Sequence, residues 1–332
     1  MIEIKVSDLE ADQRLDRYLR REFEDISMGQ IFKMIRKKKI RVNGVRAKPE
    51  EHVGPGDTIE IYENIESMAH EKKVEAQKFA AKDNWGGLIS LRKSSEIDIT
   101  YEDDDVIIIN KKAGIAVHPG SGQADGQTLI EQIWKIMAIS DDQRFKPQLV
   151  HRLDKGTSGL IVVALRGGSL KIWSALFRDR NIIKKYVALV KGHVEENKGE
   201  IKLQLERSDS KSGGAKIKVT SGGGQFSLTR YKVLKRYSPK NTDEACTLVE
   251  VDLGTGRMHQ IRTHFEHLGH PLLGDDRYGN FETNRHFKKL FGLKRMFLHS
   301  AKLSWGEAKT HADIPIELQD VLDKMADYSK KK

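Results

Sequence analysis

The segment HRLDKGTSGLIVVA, from His151 to Ala164, places one carboxylate in a loop that leads into an apolar strand. Glycines and small hydroxyl residues follow Asp154, and these residue types favour a tight turn. Such a turn can hold a carboxylate at the edge of a cleft, where it can act as a nucleophile or as a base. An Asp at a turn is more often only structural. Asp154 is a catalytic candidate because two later segments of the sequence supply residues that could act with it.

The two later segments supply a tyrosine and an arginine. Tyr186 lies in IIKKYVALVKGHV, residues 182–194, whose alternation predicts a strand. Arg262 lies in GTGRMHQIRTHFEHLGHPLLGDDRYG, residues 254–279, where a glycine turn precedes a helix predicted from about 258 to 267. A guanidinium beside a desolvated carboxylate favours the ionised form, and its planar fork can bind both oxygens.

Together these segments resemble the RluA family of pseudouridine synthases, over about residues 99 to 305. The pattern HRLDxxTSG is highly specific, and three further matches follow the family's order: KAGIAVHPG at 112–120, HQIRTHFEHLGHPLLGDDRYG at 259–279 and FLHSAKLSW at 297–305. The DDRYG run followed by RMFLHSA is similar to the RluC-type branch, which modifies large-subunit ribosomal RNA. The resemblance therefore implies isomerisation of uridine to pseudouridine.

The resemblance also implies roles for four residues. Asp154 is expected to be the essential carboxylate, Tyr186 to lie near the target base, Arg262 to pair with Asp154, and Arg152 to fill the space that the extruded base leaves. The reaction changes no oxidation state, so neither a metal nor a small-molecule cofactor is expected. Attack on C1′ and proton removal from C2′ both remain open as the role of the carboxylate.

Two departures from the family pattern flank these residues. Lys112 stands where the family usually has Pro, and Met258 stands where it often has Thr. Both positions lie beside the expected catalytic groups, so they bear on the local loop geometry.

A basic surface is predicted near the start of the chain. Residues 26–49 contain eight basic side chains and no acidic ones. The basic residues are Lys33, Arg36, Lys37, Lys38, Lys39, Arg41, Arg46 and Lys48. The runs QRLDRYL and RKKKIRVNG are similar to the S4 RNA-binding domain over residues 12–62. This surface, with a net charge of +10 for the chain, predicts that RNA phosphates are bound without sequence being read.

The fold class is predicted to be α+β. A small S4-like domain is expected at 1–64, a linker with a helical piece near 72–82 at 65–97, and the catalytic domain at 98–332. Strand-like runs at 106–110, 159–165, 185–192 and 247–253, with helical stretches such as 128–137, predict a mixed, mostly antiparallel central sheet flanked by helices and loops. In the smaller domain, Leu15, Leu19 and Phe23 predict one helix, Ser27 and Gln30 cap a second, and Asn43-Gly44 predicts a hairpin.

Several other classes fit poorly. One cysteine, Cys246, allows no internal disulfide and no Cys-rich zinc site. The histidines at 259, 264, 267 and 270 lack the HExxH pattern, so no metal is expected there. Asp275 and Asp276 are interpreted as turn residues, and 212–224 as a flexible hairpin. No apolar run approaches the length of a membrane span and no signal peptide is expected, so the sequence predicts a cytoplasmic protein without a membrane partner.

Two alternative functions remain open at this point. The first is a non-catalytic RNA-binding or ribosome-assembly factor built on the S4-like domain. The second is a metal-dependent nuclease, which would need bound metal. Both alternatives share the expected RNA affinity, and neither requires Asp154.

Overall fold

A computed structural model describes residues 2–6, 13–23, 31, 34–48, 51–63, 86–119, 126–140, 143, 145–208, 216–238 and 243–331. These residues fall into two compact units, 1–84 and 85–332, and each is described by itself. None of the described helices combines the length and the apolar character that crossing a membrane requires.

The smaller unit is built on a four-stranded antiparallel sheet. Its elements are β1 (Ile2–Lys5), β2 (Gln13–Arg14), α1 (Leu15–Glu22), β3 (Ile40–Val42), β4 (Val45–Arg46), β5 (His52–Val53) and β6 (Thr58–Ile61). The sheet order is β1-β6-β3-β4, and β2 pairs with β5. Asn43 and Gly44 join β3 to β4 with φ values of 50° and 76°, the left-handed conformation that a two-residue type I′ turn requires. The predicted hairpin is confirmed.

Apolar residues at helical spacing build the core of this unit. Leu15 and Leu19 of α1 are fully buried, and so are Ile31 and Met34, which supply the apolar face predicted for the second helix. The capping pair Ser27 and Gln30 lies outside the described residues.

The larger unit contains one extended sheet and helices on both of its faces. Its helices are α2 (Gly86–Lys93), α3 (Leu129–Ile136), α4 (Gly167–Arg178), α5 (Gln260–His267), α6 (Phe281–Phe291) and α7 (Ile316–Lys331). Its strands are β7 (Ile99–Glu102), β8 (Val106–Lys111), β9 (Gln148–Leu149), β10 (Ser158–Ala164), β11 (Ile182–Lys191), β12 (Lys198–Ser208), β13 (Lys216–Thr220), β14 (Gln225–Tyr237), β15 (Cys246–Leu253), β16 (Leu298–Trp305) and β17 (Ala308–His311).

The strand order of this eleven-stranded sheet is β13-β12-β14-β15-β11-β16-β10-β8-β7, with β17 paired to β16 and β9 to β10. The β10–β16 pair is parallel and the other pairs are antiparallel. The mixed, mostly antiparallel α+β architecture predicted from the sequence is therefore confirmed.

The parallel pair sets the position of the loop that carries Asp154. Gly159 of β10 lies opposite Ser300 of β16, and Ser300 lies opposite Tyr186 of β11. Gly159 has a φ of 108°, and a Cβ atom there would lie 2.2 Å from the backbone oxygen of Ser300. A glycine is required at this contact because any side chain would separate the two strands. Strand β16 therefore lies between β10, which follows the Asp154 loop, and β11, which carries Tyr186.

Alternating burial explains why both faces of the central strands are covered. Ile107 and Ile109 of β8 pack in the core that holds α2, α3 and α5, whereas Val106 and Ile108 pack on the opposite face with Trp173 of α4. All seven residues of β10 are buried, which is typical of a central strand.

Helix α2 lies inside the range 65–97 that the sequence analysis assigned to a linker. Its Leu88 and Leu91 are buried in the core of the larger unit. The helical piece predicted near 72–82 lies outside the described residues. The domain limits at 64 and 98 stay a prediction.

Candidate active site

An open cleft of about 430 Å³ lies where the three chemistry-bearing segments of the sequence meet. Its lining includes Arg152 and Asp154 from the loop before β10, Tyr186 from β11, and Arg262 from α5. The structure therefore brings together all four residues that the sequence predicted for the catalytic site. The side chain of Asp154 is 18% exposed, so the carboxylate can be reached from the cleft.

A single contact joins Asp154 to Arg262. Nη1 of Arg262 donates to Oδ2 of Asp154 at 3.2 Å, although 108 residues separate the two in the sequence. The guanidinium is buried, with 9% of its side chain exposed. The buried guanidinium therefore places a positive charge at hydrogen-bond distance from the Asp154 carboxylate.

The planar fork of Arg262 binds Asp275 rather than Asp154. Nε and Nη2 of Arg262 donate to the two oxygens of Asp275, each at 2.7 Å, and the Asp275 side chain has no exposed surface. Burial alone would lower the pKa of Arg262, but the hydrogen bonds and charge of Asp275 outweigh burial and raise it. The bidentate contact anticipated for Asp154 is therefore wrong, because the DDRYG turn occupies that side of the guanidinium.

Backbone amides hold Asp275 in place. The N–H groups of Arg277 and Tyr278 donate to its Oδ1 at 2.9 and 3.1 Å. Burial would raise the pKa of Asp275, yet Arg262 and these amides together lower it. Asp275 thus positions Arg262 so that its remaining nitrogen faces Asp154.

His259 is a further neighbour of Asp154, which the sequence analysis weighed only as a metal ligand. Its Nε2 lies 3.8 Å from Oδ2 of Asp154, and its Nδ1 lies 2.9 Å from the hydroxyl oxygen of Tyr278. That oxygen accepts the backbone N–H of Ile217 at 2.8 Å, so its hydrogen is available to Nδ1 and we assign the ring proton to Nε2. Burial lowers the pKa of His259 despite the nearby Asp154 charge, so a neutral N–H faces the carboxylate.

The backbone of His259 is also unusual. It precedes α5 with a φ of 55°, in the left-handed region that non-glycine residues rarely adopt. Strained residues of this kind concentrate at functional sites. The sequence offered one signal that His259 lies at the site, namely its position three residues before Arg262 in HQIR. Neither the left-handed backbone of His259 nor its contact with Tyr278 could be derived from the sequence.

Tyr186 contributes an apolar wall. The residue is only 5% exposed, and its side chain lines the cleft. Burial raises the pKa of Tyr186 to about 12, and the charge of Asp154 acts in the same direction. The hydroxyl therefore stays protonated at neutral pH and can donate a hydrogen bond.

Lys111 is a buried residue that forms a hydrogen bond with the Asp154 loop. Its side chain is 1% exposed, and its Nζ donates to the backbone oxygens of Lys112, Ile115 and Lys155 at 2.9, 3.0 and 3.4 Å. Lys155 directly follows Asp154, so this ammonium ties the loop to the end of β8. The sequence indicated the departure at the neighbouring Lys112, but nothing in it marked Lys111 as a buried residue.

We expect Lys111→Met to lower the free energy of unfolding by about 1–3 kcal/mol, because buried carbonyl oxygens lose their donor. Urea denaturation would measure the change. Lys112→Met is the matched control, since Lys112 is exposed and should change stability by no more than about 0.5 kcal/mol. Equal effects of the two substitutions would contradict the supporting role of Lys111.

The same substitution should change how stability depends on pH. Burial lowers the pKa of Lys111 from its ordinary 10.5 to about 7, so the unfolded chain binds one more proton than the folded chain between those values. Stability from this group therefore rises with pH across that window. The advantage of the wild type over Lys111→Met should increase as the pH is raised above 7.

The histidines at 264 and 270 are engaged in structural contacts. Nε2 of His264 lies 2.8 Å from Oγ of Ser227, and Nδ1 of His270 lies 2.8 Å from the backbone oxygen of Lys191. Within the described ranges, no group of three or more His, Cys, Asp or Glu side chains is arranged to hold a metal ion.

The basic surface of the smaller unit is exposed as its charge pattern predicted. Arg36, Lys37 and Lys38 end the second helical segment, and Arg41 and Arg46 lie on the β3–β4 hairpin. Lys48 is exposed and Lys39 is partly exposed, whereas Lys33 lies outside the described side chains. The guanidinium of Arg41 lies 5.1 Å from the ring centroid of Tyr62, a cation–π contact that holds it on the surface.

Comparison with known proteins places this geometry in a family. A family model described as RNA pseudouridylate synthase matches residues 105–267, and one described as the S4 domain matches residues 13–59. A solved structure titled Human RNA Pseudouridylate Synthase Domain Containing 1 is 27% identical, with a TM-score of 0.51 over 67% of this chain and 84% of that one. Human RNA Pseudouridylate Synthase Domain Containing 4, at 22% identity and a TM-score of 0.55 over 73% and 97%, shares the fold.

Curated relatives extend the similarity over nearly the whole chain. The ribosomal large subunit pseudouridine synthase C of Vibrio cholerae is 32% identical over 324 residues, which cover 95% of this chain and 94% of the relative. Its Escherichia coli K12 counterpart is 35% identical over 311 residues, which cover 93% and 89%. This chain therefore belongs to the RNA pseudouridylate synthase family, with an S4 domain before the synthase domain. It is an isomerase, and this separates it from the assembly factor and the nuclease that the sequence pattern left open.

Proposed function

We propose that this enzyme converts specific uridines of large-subunit ribosomal RNA to pseudouridine, with Asp154 as the catalytic carboxylate. The observation that carries the chemical part is the accessible carboxylate held 3.2 Å from a buried guanidinium inside an open cleft. The names of the relatives from Vibrio cholerae and Escherichia coli support the choice of substrate. Ribosomal RNA as the substrate also favours the cytoplasm as the place of action.

In the proposed reaction the N1–C1′ bond breaks, the uracil turns, and C5 bonds to C1′. The hydrogen on C5 leaves and N1 gains one, so no atom is added overall. Asp154 begins the sequence either by attacking C1′ or by taking the hydrogen from C2′. Arg262 donates a hydrogen bond to the carboxylate, while the protonated Tyr186 hydroxyl and its ring offer a surface for the uracil.

The target nucleotide must leave its stack to reach this carboxylate. Flipping costs a few kcal/mol and costs least in loops and single strands. Arg152, which lines the cleft beside Asp154, is proposed to occupy the vacated space and to offset part of that cost. Structured RNA loops are therefore the favoured targets.

We further propose that the basic face of the smaller unit binds RNA phosphates. Changing Arg36, Lys37, Arg41 and Arg46 together to Ser should weaken binding of an unmodified large-subunit RNA transcript and reduce the slope of log affinity against log salt. Each lost phosphate contact should reduce that slope by about 0.7–0.9. The titration would be run at several salt concentrations on wild type and variant.

A matched control for this variant changes basic residues already neutralised on the larger unit. Arg92 and Arg230 form ion pairs with Glu102 and Glu200, at 2.6 Å in each case, so their replacement by Ser should leave the salt slope unchanged. Identical slopes for the wild type and the fourfold variant would contradict the phosphate-binding role.

A further inference from the structure

Cationic side chains outnumber anionic ones among the residues that line the cleft. Besides Arg262, its lining includes Arg152, Arg178, Arg180, Lys184 and Arg257. Among the described residues that line the cleft, Asp154 is the single acidic one. Asp154 is already paired with Arg262. Arg178 has a neighbouring partner in Asp179 at 3.3 Å, and both are exposed. The remaining charge indicates an anionic ligand beyond the uracil, which is neutral.

Lys184 is the one cation of this group that is not fully exposed. It is half-buried, and within the described ranges no carboxylate oxygen lies within the 4.0 Å of an ion pair. Asp252 attracts it only from a greater distance. Its Nζ lies 5.4 Å from the ring centroid of Phe177, a cation–π contact.

Two stacked aromatic rings, Phe177 and His151, lie beside the Lys184 ammonium. Phe177 stacks on His151 with centroids 4.3 Å apart and an angle of 25° between the rings. Nε2 of His151 accepts the backbone N–H of Val162 in β10 at 3.1 Å, so the stack is anchored to the central strand. Burial lowers the pKa of His151 to about 3, with the Lys184 charge acting in the same direction, so the ring is neutral. The ammonium is thus preorganised beside the loop that carries Asp154.

Arg180 occupies a backbone position that suits glycine. Helix α4 ends with hydrogen bonds from Arg180 N–H to the oxygen of Phe177 at 3.4 Å and from Asn181 N–H to the oxygen of Leu176 at 2.9 Å. This pattern places a left-handed residue after the helix, and Arg180 has a φ of 62°. A non-glycine residue there costs about 1–2 kcal/mol. From this position the exposed Arg180 side chain lines the cleft.

The glycine turn before α5 brings a third cation to the same region. A Cβ atom added at Gly256 would lie 3.6 Å from Nζ of Lys184, so this turn passes close to the ammonium. Arg257 follows directly in the chain and also lines the cleft. Arg180, Lys184 and Arg257 therefore reach the cleft from the end of α4, the start of β11 and the 254–257 turn.

We propose that Arg180, Lys184 and Arg257 bind a phosphodiester of the RNA backbone next to the target nucleotide. This inference rests on the proposed function, because it takes the flipped nucleotide to enter beside Asp154. Flipping rotates a nucleotide about its own backbone. A flanking phosphate bound at the cleft therefore fixes the backbone about which the target nucleotide rotates. An arginine fork and a lysine point charge both suit phosphate oxygens. The contact exists before and during the chemistry, so it stabilises the complex more than it accelerates the reaction.

The position of Arg180 allows a test that spares the fold. Arg180→Gly removes the guanidinium and suits the left-handed backbone, so thermal stability should stay equal or rise. Affinity for an unmodified large-subunit RNA transcript should fall about tenfold, as expected for a lost charged hydrogen bond. The salt slope should shrink by about 0.7. Lys184→Met, which keeps an unbranched chain against Phe177, should weaken binding similarly while the single-turnover rate at saturating RNA changes by no more than about threefold.

Ala138→Gly is the matched control for the backbone effect. Ala138 follows α3 with a φ of 51° and the same two hydrogen bonds, from Ala138 N–H to the oxygen of Lys135 at 3.1 Å and from Ile139 N–H to the oxygen of Trp134 at 2.9 Å. This substitution should stabilise the chain as Arg180→Gly does, without changing RNA affinity or its salt slope.

Unchanged affinity and salt slope in Arg180→Gly and Lys184→Met would overturn the phosphate site. A fall in the saturating rate with no loss of affinity would also overturn it, because the groups would then act on the chemistry. Equilibrium binding is measured separately from isomerisation. If the wild type binds the RNA but forms no pseudouridine, the proposed function is wrong. The RNA affinities of Arg180→Gly and Lys184→Met relative to wild type then decide separately whether the phosphate site exists.

Discussion

Replacing Asp154 with Asn is expected to lower the single-turnover rate of pseudouridine formation by at least about 10³-fold, with RNA affinity kept within about twofold. The amide is nearly the same size as the carboxylate, yet it can neither attack C1′ nor accept the hydrogen from C2′. Release of tritium from RNA labelled at C5 of uridine would report the reaction, because that hydrogen must leave. Filter binding would report the affinity.

Asp276→Asn is the matched control for this variant. The side chain of Asp276 is 97% exposed and lies 3.6 Å from Arg262, so it shares the cation but not the buried setting. Its rate should stay within about twofold of wild type, since exposed ion pairs contribute little. Tritium release from Asp154→Asn at the control rate would contradict the assignment of Asp154.

Replacing Asp275 with Asn is expected to have the larger effect on the fold, lowering the free energy of unfolding by about 3–5 kcal/mol. The substitution removes a fully buried charge that binds both Nε and Nη2 of Arg262 and accepts two backbone amides. Arg262 would then be a buried cation whose fork has lost its anion. Urea denaturation monitored by circular dichroism would measure the loss.

Activity should fall in the Asp275 variant as well, because Arg262 loses the contact that orients it toward Asp154. Asp276→Asn again serves as the control and should change the free energy of unfolding by no more than about 0.5 kcal/mol. Should Asp275→Asn be as stable as this control, Asp275 would not be the residue that holds Arg262.

The identities of the central residues could be predicted because local sequence carries them. The order of residue types around Asp154 and Arg262 is specific to a family, and the apolar runs that became β8, β10, β11 and β15 are short and well separated. The basic run of the smaller unit, with its Asn43-Gly44 turn, was likewise local. These features depend on neighbouring residues, so a sequence contains them directly.

Other features depend on contacts that sequence spacing does not reveal. The bond between Asp154 and Arg262 joins residues that are 108 positions apart. The Asp154 loop leads into β10, whose parallel pairing with β16 brings Gly159 against the backbone of Ser300. Asp275 was interpreted as a turn residue because nothing in DDRYG indicates which cation faces it. The carbonyl cage around Lys111 likewise joins atoms from three separate positions.

The most direct test of the central claim is a map of pseudouridine across ribosomal RNA. The RNA comes from cells whose own copy of the gene is deleted and to which either the wild-type gene or the Asp154→Asn gene has been returned. We predict that particular large-subunit uridines regain the modification with the wild type alone, although both proteins accumulate to equal levels. Restoration of those sites by the Asn variant would contradict the role of Asp154. Changes confined to transfer RNA would contradict the proposed substrate.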